Sequence, residues 1–291
     1  MKRIILFVSS LLLLIGLQCS RPASTTGEAT IATSIFPVYD WSRILLGSQA
    51  NIINILPPGA NPHHFEPTPG VARQLQHVRL FIGMDPHLDG WVSPLLPKGV
   101  QIVYLSKVFE QTNDSHYHDD NPHYWLSVKN ARAMVEALSQ TLCNHDPEQC
   151  DTITSRTSVY LEKLNQVDSD IAALFNGLKN RTFFQWHAAW NYFAEDYNLT
   201  IAGTLSQGHG DTPSIKKLAN LISLAKSQSI SVVVQGLHEQ HSETALFAKE
   251  TNAFLLTLDT LGNPEVESKS SYVRLMKQNA SILANGLRQK P

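Results

Sequence analysis

The chain has 291 residues, 43% of them hydrophobic and 16% charged, with a formal net charge of -2 at pH 7. That length accommodates two ordinary domains, each with its own core. No basic cluster exists to track a phosphate backbone, so nothing in the composition points to nucleic acid as a partner.

The N-terminus carries the first functional signal. Lys2 and Arg3 precede an almost unbroken apolar run, residues 4–17. At about 14 residues it falls short of the roughly 20 needed to span a bilayer. It reads as the core of a signal peptide, residues 1–18, and lies outside fold reasoning. Cys19 follows the run directly, and Leu14-Ile15-Gly16-Leu17-Gln18-Cys19 resembles a bacterial lipoprotein cleavage site, in which the cysteine becomes the lipidated first residue. Gln18 departs from the small residue usual before that cysteine. Residues 19–29 are polar and read as a flexible tether. The expected location is therefore outside the cytoplasm, in the periplasm or on the outer face of the cytoplasmic membrane, held only by the lipid.

Beyond the tether, residues 30–34 begin a short strand, 36–47 have helical spacing, and 51–56 form a buried-strand candidate stopped by Pro57-Pro58-Gly59. A helix over 68–76, a strand over 78–82, a helical stretch over 88–96 and a strand over 101–105 follow. This alternation predicts βα units on a parallel sheet. From 128 to 178 the pattern changes to long helices, with Val159, Leu161, Leu164, Val167, Ile171, Leu174 and Phe175 at spacings of three and four. Residues 151–178 contain no proline and read as one helix, roughly 40 Å long at 1.5 Å per residue. The βα rhythm then returns: strands at 181–184, 199–204, 230–234 and 254–258, and helices at 188–197, 213–226 (capped by Thr212 or Asp211), 243–251 and 271–287. The fold class is α/β: a lobe over 30–150, a linking helix over 151–178, and a second lobe over 179–291. No internal repeat is obvious.

Cys143 and Cys150 flank a turn-rich stretch. In an oxidising compartment such an isolated pair is usually a disulfide. A zinc site of Cys143, His145 and Cys150 is the alternative, weakened by the lack of a second Cys/His pair with finger-like spacing.

Among the 12 histidines, His63, His123 and His187 stand in loops beside predicted elements, and Asp259 ends the strand 254–258. His187 and Asp259 follow strand C-termini, the edge where open α/β sheets bind ligands. Three imidazoles and a carboxylate make a set that zinc accepts in tetrahedral coordination. Spacing alone does not single these residues out.

Their surroundings do. Pro62-His63-His64-Phe65-Glu66-Pro67-Thr68-Pro69, Asn121-Pro122-His123-Tyr124-Trp125-Leu126, Phe184-Gln185-Trp186-His187-Ala188-Ala189-Trp190-Asn191-Tyr192-Phe193 and Leu256-Thr257-Leu258-Asp259-Thr260-Leu261-Gly262 resemble four signature stretches of one family, in its order. That family is the zinc- and manganese-binding solute-binding lipoproteins of bacterial ABC importers. The resemblance implies two α/β lobes bridged by a rigid helix, with the metal between them held by His63, His123, His187 and Asp259. It implies delivery of the metal to a membrane permease, a monomeric protein, and no enzymatic activity. Histidine rather than glutamate at 187 favours zinc over manganese, which stays the alternative. Asn121 stands where the family often has Asp beside the second histidine. The long His- and acid-rich loop of many zinc-specific members is reduced to residues 114–120, where His116 and His118 form either a low-affinity collecting site or a solvated loop. His64, Glu66, His209, Asp211, His238 and His241 read as neighbours or loop residues. A zinc hydrolase is the strongest rival, opposed by the lack of an HExxH motif and by Asp259 closing the coordination sphere. A metal-dependent adhesin is another.

Overall fold

Short apolar runs build the first lobe in the computed structural model, which describes residues 30–109, 121–206, 211–237, 239 and 241–289. Strands β1 (Ile31–Thr33), β2 (Ile52–Asn54), β3 (Leu80–Gly83) and β4 (Gln101–Tyr104) alternate with helices α1 (Phe36–Leu46), α2 (Pro69–Gln74) and α3 (Pro86–Asp89). The strands pair in parallel in the order β2-β1-β3-β4. All four residues of β3 are buried, as a parallel strand covered on both faces requires. Two long helices follow, α4 (Val128–His145) and α5 (Cys150–Phe175), with a disulfide between Cys143 and Cys150 at their junction. The second lobe contains β5 (Thr182–Gln185), α6 (Asn191–Asp196), β6 (Thr200–Thr204), α7 (Ile215–Ser227), β7 (Val232–Gly236), α8 (Ser242–Thr251) and β8 (Phe254–Leu258), and α9 (Tyr272–Arg288) closes the chain. Its parallel sheet has the order β6-β5-β7-β8. Each sheet thus runs second, first, third, fourth strand. The internal repeat lies in topology and leaves no visible trace in the sequence.

Several boundaries differ from expectation for local reasons. The helical stretch over 88–96 divides: α3 stops at Asp89, and a 3₁₀ turn over Gly90–Leu95 takes up Pro94, which cannot donate to an α-helical ladder. Helix α7 is capped by the Ser214 hydroxyl, which accepts from Lys217 N, and not by Thr212 or Asp211. Helix α6 starts at Asn191, not 188, because the Gln185 side chain holds the turn before it. Gln185 Oε1 accepts from Trp190 N at 3.1 Å and its Nε2 donates to Asn191 Oδ1 at 2.8 Å. This keeps His187 in a loop at the end of β5.

The buried stripe of α5 runs through Ile153, Thr157, Tyr160, Leu164, Val167, Ile171 and Phe175. Val159, expected on that stripe, is 66% exposed. Polar Thr157 and amphipathic Tyr160 replace it, and Thr157 stays satisfied by donating to the Ile153 carbonyl at 2.7 Å. One apolar cluster unites the lobes, drawing in Trp41 of α1, Ile82 of β3, Leu164 of α5, Phe183 of β5 and Met276 of α9. The start of α9 is set into the first lobe. Tyr272 N donates to Asp40 Oδ2 at 2.9 Å, its hydroxyl donates to the Trp125 carbonyl at 2.7 Å, and its ring meets Trp41 edge-on at 5.0 Å. Among the described residues, no helix is long and apolar enough to cross a membrane. Cys19 and the leader and tether, residues 1–18 and 19–29, lie outside the described residues, as do His116, His118, His209 and His238.

Asp89 is wholly buried at the end of α3, where Met84 N donates to it. Burial pushes its carboxyl up to about 7, despite that amide bond. Unfolded, the group ionises near its usual value, so between pH 4 and 7 the folded state binds the extra proton and stability falls as pH rises. The slope reaches about 1.4 kcal/mol per pH unit. Urea unfolding of the wild type and of Asp89→Asn is expected to show a stability difference that declines through this window and levels above pH 7. A constant difference would contradict the assignment.

Candidate metal centre

Three loops bring three imidazoles together between the lobes. His63 follows β2 in a 3₁₀ turn over Pro62–His64, whose cap, Asn61, accepts from His63 N through Oδ1 at 3.0 Å. His123 precedes α4. Asn121 Oδ1 accepts from His123 N at 3.2 Å and lies 2.8 Å from His123 Nδ1. Asn121 Nδ2 donates to the Ala188 carbonyl at 2.8 Å, which fixes the amide so that Oδ1 faces the histidine. A carbonyl oxygen only accepts, so Nδ1 carries the proton and Nε2 presents a lone pair. Asn121 thus does the orienting work expected of an aspartate here. His187 follows β5, with Nδ1 2.6 Å from Glu239 Oε2.

The Nε2 atoms converge. His63 lies 3.2 Å and His187 3.3 Å from His123 Nε2. A tetrahedral ion with bonds of about 2.0–2.1 Å sets its donors about 3.3 Å apart, so the spacing is that of a zinc coordination edge. Among the described residues, His63, His123 and His187 form a group of potential ligands whose donor atoms all lie within 4.8 Å of one another. His123 and His187 are buried and His63 is half-buried, which makes His63 the solvent side of the site.

Asp259 stands outside that group. Its Oδ1 accepts from Leu261 N and Gly262 N, each at 3.0 Å, and its Oδ2 from Lys269 Nζ at 2.7 Å. Burial works to raise its carboxyl, but Gly262 N, Lys269 and Leu261 N together hold it below the ordinary value. Thr260 and Leu261, its neighbours, line the cavity in front of the histidines. His64 and Glu66 are exposed, as is Asp211. His241 stacks on Trp186, with ring centroids 3.9 Å apart. Cys143 and Cys150 are bonded to each other, so neither offers a thiolate beside His145. Glu239, which composition and spacing do not pick out, lines the cavity. The signal that could have found it is its position just past the C-terminal end of β7, the edge that also supplies His187 from β5.

The family model described as Zinc-uptake complex component A periplasmic matches residues 31–286. The chain belongs to this family. It is 27% identical over 97% of its length to the zinc-binding lipoprotein AdcA of Streptococcus pneumoniae (strain ATCC BAA-255 / R6). It is 24% identical, over 97% of both chains, to the high-affinity zinc uptake system protein ZnuA of Bacillus subtilis (strain 168). It spans about 60% of the length of the AdcA relatives it matches. Among solved structures, Zn(II)-bound AdcA from S. pneumoniae superposes with a TM-score of 0.74 at 25% identity, over 91% of this chain and 59% of that one. A crystal structure of ZnuA superposes at 0.78 with 21% identity, covering 90% of this chain and all of the other. The laminin-binding protein Lmb of Streptococcus agalactiae gives 0.79 at 23% identity and 90% coverage of this chain.

Replacing Asn121 separates its roles. Asn121→Ala is expected to lose about 1–3 kcal/mol of stability by urea unfolding and to let the His123 ring leave its Nδ1–H form, read in long-range ¹H–¹⁵N spectra of the metal-free protein. Asn121→Asp keeps the acceptor for His123 and is expected to keep the ring form. An unchanged ring in Asn121→Ala would remove Asn121 from the site.

Proposed function

We propose that this chain captures a divalent transition metal outside the cytoplasm, zinc in preference to manganese, and delivers it to the membrane permease of an ATP-driven importer. The observation that supports this most is the trio of Nε2 atoms, those of His63 and His187 lying 3.2 and 3.3 Å from that of His123, whose Nδ1 is engaged by Asn121. Imidazole nitrogens at that separation share either a proton or a cation, and the edge of a tetrahedral zinc site has that length. Three imidazoles suit zinc better than a hard, oxygen-preferring ion. Family membership and the zinc-uptake names of the relatives support the same cargo and the same kind of partner. A lipid on Cys19 would keep a monomer near that permease, and His116 and His118 would offer a second, weaker site.

In this reading Asp259 completes the set by exchanging Lys269 for the metal. Before the metal arrives, Lys269 neutralises the carboxylate, whose side chain is 10% exposed, and spares it the penalty of an unpaired buried charge. The common core and the docking of Tyr272 into the first lobe oppose a wide opening of the lobes. Release at the permease therefore acts on the ligand loops, beginning at half-buried His63. The family is one of transport components and not of enzymes.

Calorimetric titration of the metal-free protein with zinc is expected to give one tight site. His123→Ala should weaken it at least a hundredfold, about 2.7 kcal/mol; unchanged affinity would remove His123. Stoichiometry above one would implicate His116 and His118. Lys269→Met should tighten zinc binding several-fold, since no cation then competes for Asp259, and weaker binding would contradict the exchange. Hydrolysis of model esters by the zinc-loaded protein, abolished by chelation, would overturn the transport reading.

A further inference from the structure

Glu239 belongs to the connection between β7 and α8, and its side chain is 10% exposed with Oε2 2.6 Å from His187 Nδ1. Independent contacts hold it there. Leu237 N donates to the Leu258 carbonyl at 2.8 Å, and Glu239 N donates to the Gly236 carbonyl at 3.1 Å. The His241 ring stacks on Trp186 at 3.9 Å, nearly parallel at 15°. Trp186 immediately precedes His187, so this stack ties the Glu239 loop to the strand end that carries the histidine. Gly236 completes the fit. A Cβ at that position would stand 2.7 Å from Glu239 Oε2 and 3.2 Å from its Cδ, so a side chain there would push the carboxylate off its place beside His187.

We infer that Glu239 is a positioning residue of the metal site, its carboxylate set against Nδ1 of His187 so that the ring is held with Nε2 aimed at the ion. This rests on the metal-capture reading above. Glu239 is not itself a donor to the ion. Its oxygen meets the ring nitrogen opposite the one that approaches His123. A carboxylate held at this distance restricts the orientation of the ring, a freedom that metal binding would otherwise have to remove. The two buried histidines are then oriented by different means: His123 by the neutral amide of Asn121, and His187 by a carboxylate that brings a negative charge close to the arriving cation.

Zinc affinity by chelator competition, with circular dichroism to confirm folding, tests this on Glu239→Ala, Glu239→Gln and Gly236→Ala. Glu239→Ala should bind ten- to hundredfold more weakly at unchanged stoichiometry, with Glu239→Gln between it and the wild type. Gly236→Ala should be as weak as Glu239→Ala although its carboxylate is still present, and the double variant no weaker than Glu239→Ala, because the two act through one contact. In long-range ¹H–¹⁵N spectra of the metal-free protein, His187 should be Nδ1–H in the wild type and lose that form in Glu239→Ala. Unchanged affinity together with an unchanged His187 ring would overturn the inference. So would the loss of one oxygen from the zinc shell in X-ray absorption of Glu239→Ala, which would make Glu239 a ligand. Should the wild type bind no zinc, the capture reading fails, while the ring spectra still decide whether Glu239 positions His187. If Glu239→Ala does not fold, Gly236→Ala carries the same comparison.

Discussion

Three imidazoles whose Nε2 atoms converge, those of His63 and His187 lying 3.2 and 3.3 Å from that of His123, are an arrangement that an isolated chain would abandon at once. Each ring would rotate, take the other tautomer or turn to water. The molecule sets an oxygen behind two of the rings, the Asn121 amide beside His123 Nδ1 and the Glu239 carboxylate beside His187 Nδ1. Those oxygens are in turn fixed by backbone across the lobes or across the sheet edge. The rings are therefore held in place before any cation arrives, which lowers the ordering cost of the capture proposed above.

Asn121 concentrates much of this in one side chain. It orients His123, donates to the Ala188 carbonyl next to His187, and its own carbonyl accepts from the Tyr192 hydroxyl at 3.1 Å. The alignment of two ligands from different lobes thus passes through a single residue. Trp125 Nε1 reaches the Thr260 carbonyl at 2.6 Å, and Tyr272 binds back to Asp40 and Trp125. With the apolar cluster running through both halves, these contacts give a frame in which loop motion is cheap and lobe motion is not.

The Asp259–Lys269 pair solves a different problem. A carboxylate at the end of β8 would, without partners, be an uncompensated buried charge. Lys269 and two backbone amides satisfy it. In the proposed exchange the arriving ion competes with this side chain, not with bulk water alone.

The alternation of strands and helices, the long α5 and the loops bearing His63, His123 and His187 were readable from the sequence, because periodicity, prolines and strand-end position are local properties. Resemblance supplied the grouping of the histidines, which no spacing argument could. The buried face of α5 was misjudged at Val159 because a helix of mixed composition offers more than one stripe, and only its neighbours choose among them. The start of α6 depended on Gln185, a strand residue reaching forward to cap a helix. The repeated strand order, Glu239 behind His187, and Lys269 on Asp259 were decided by tertiary structure alone. The first two join residues far apart in the chain and the third spans ten residues of loop; in each, partner choice is set by where the strands end in space, and a sequence carries no record of that until its sheets are assembled.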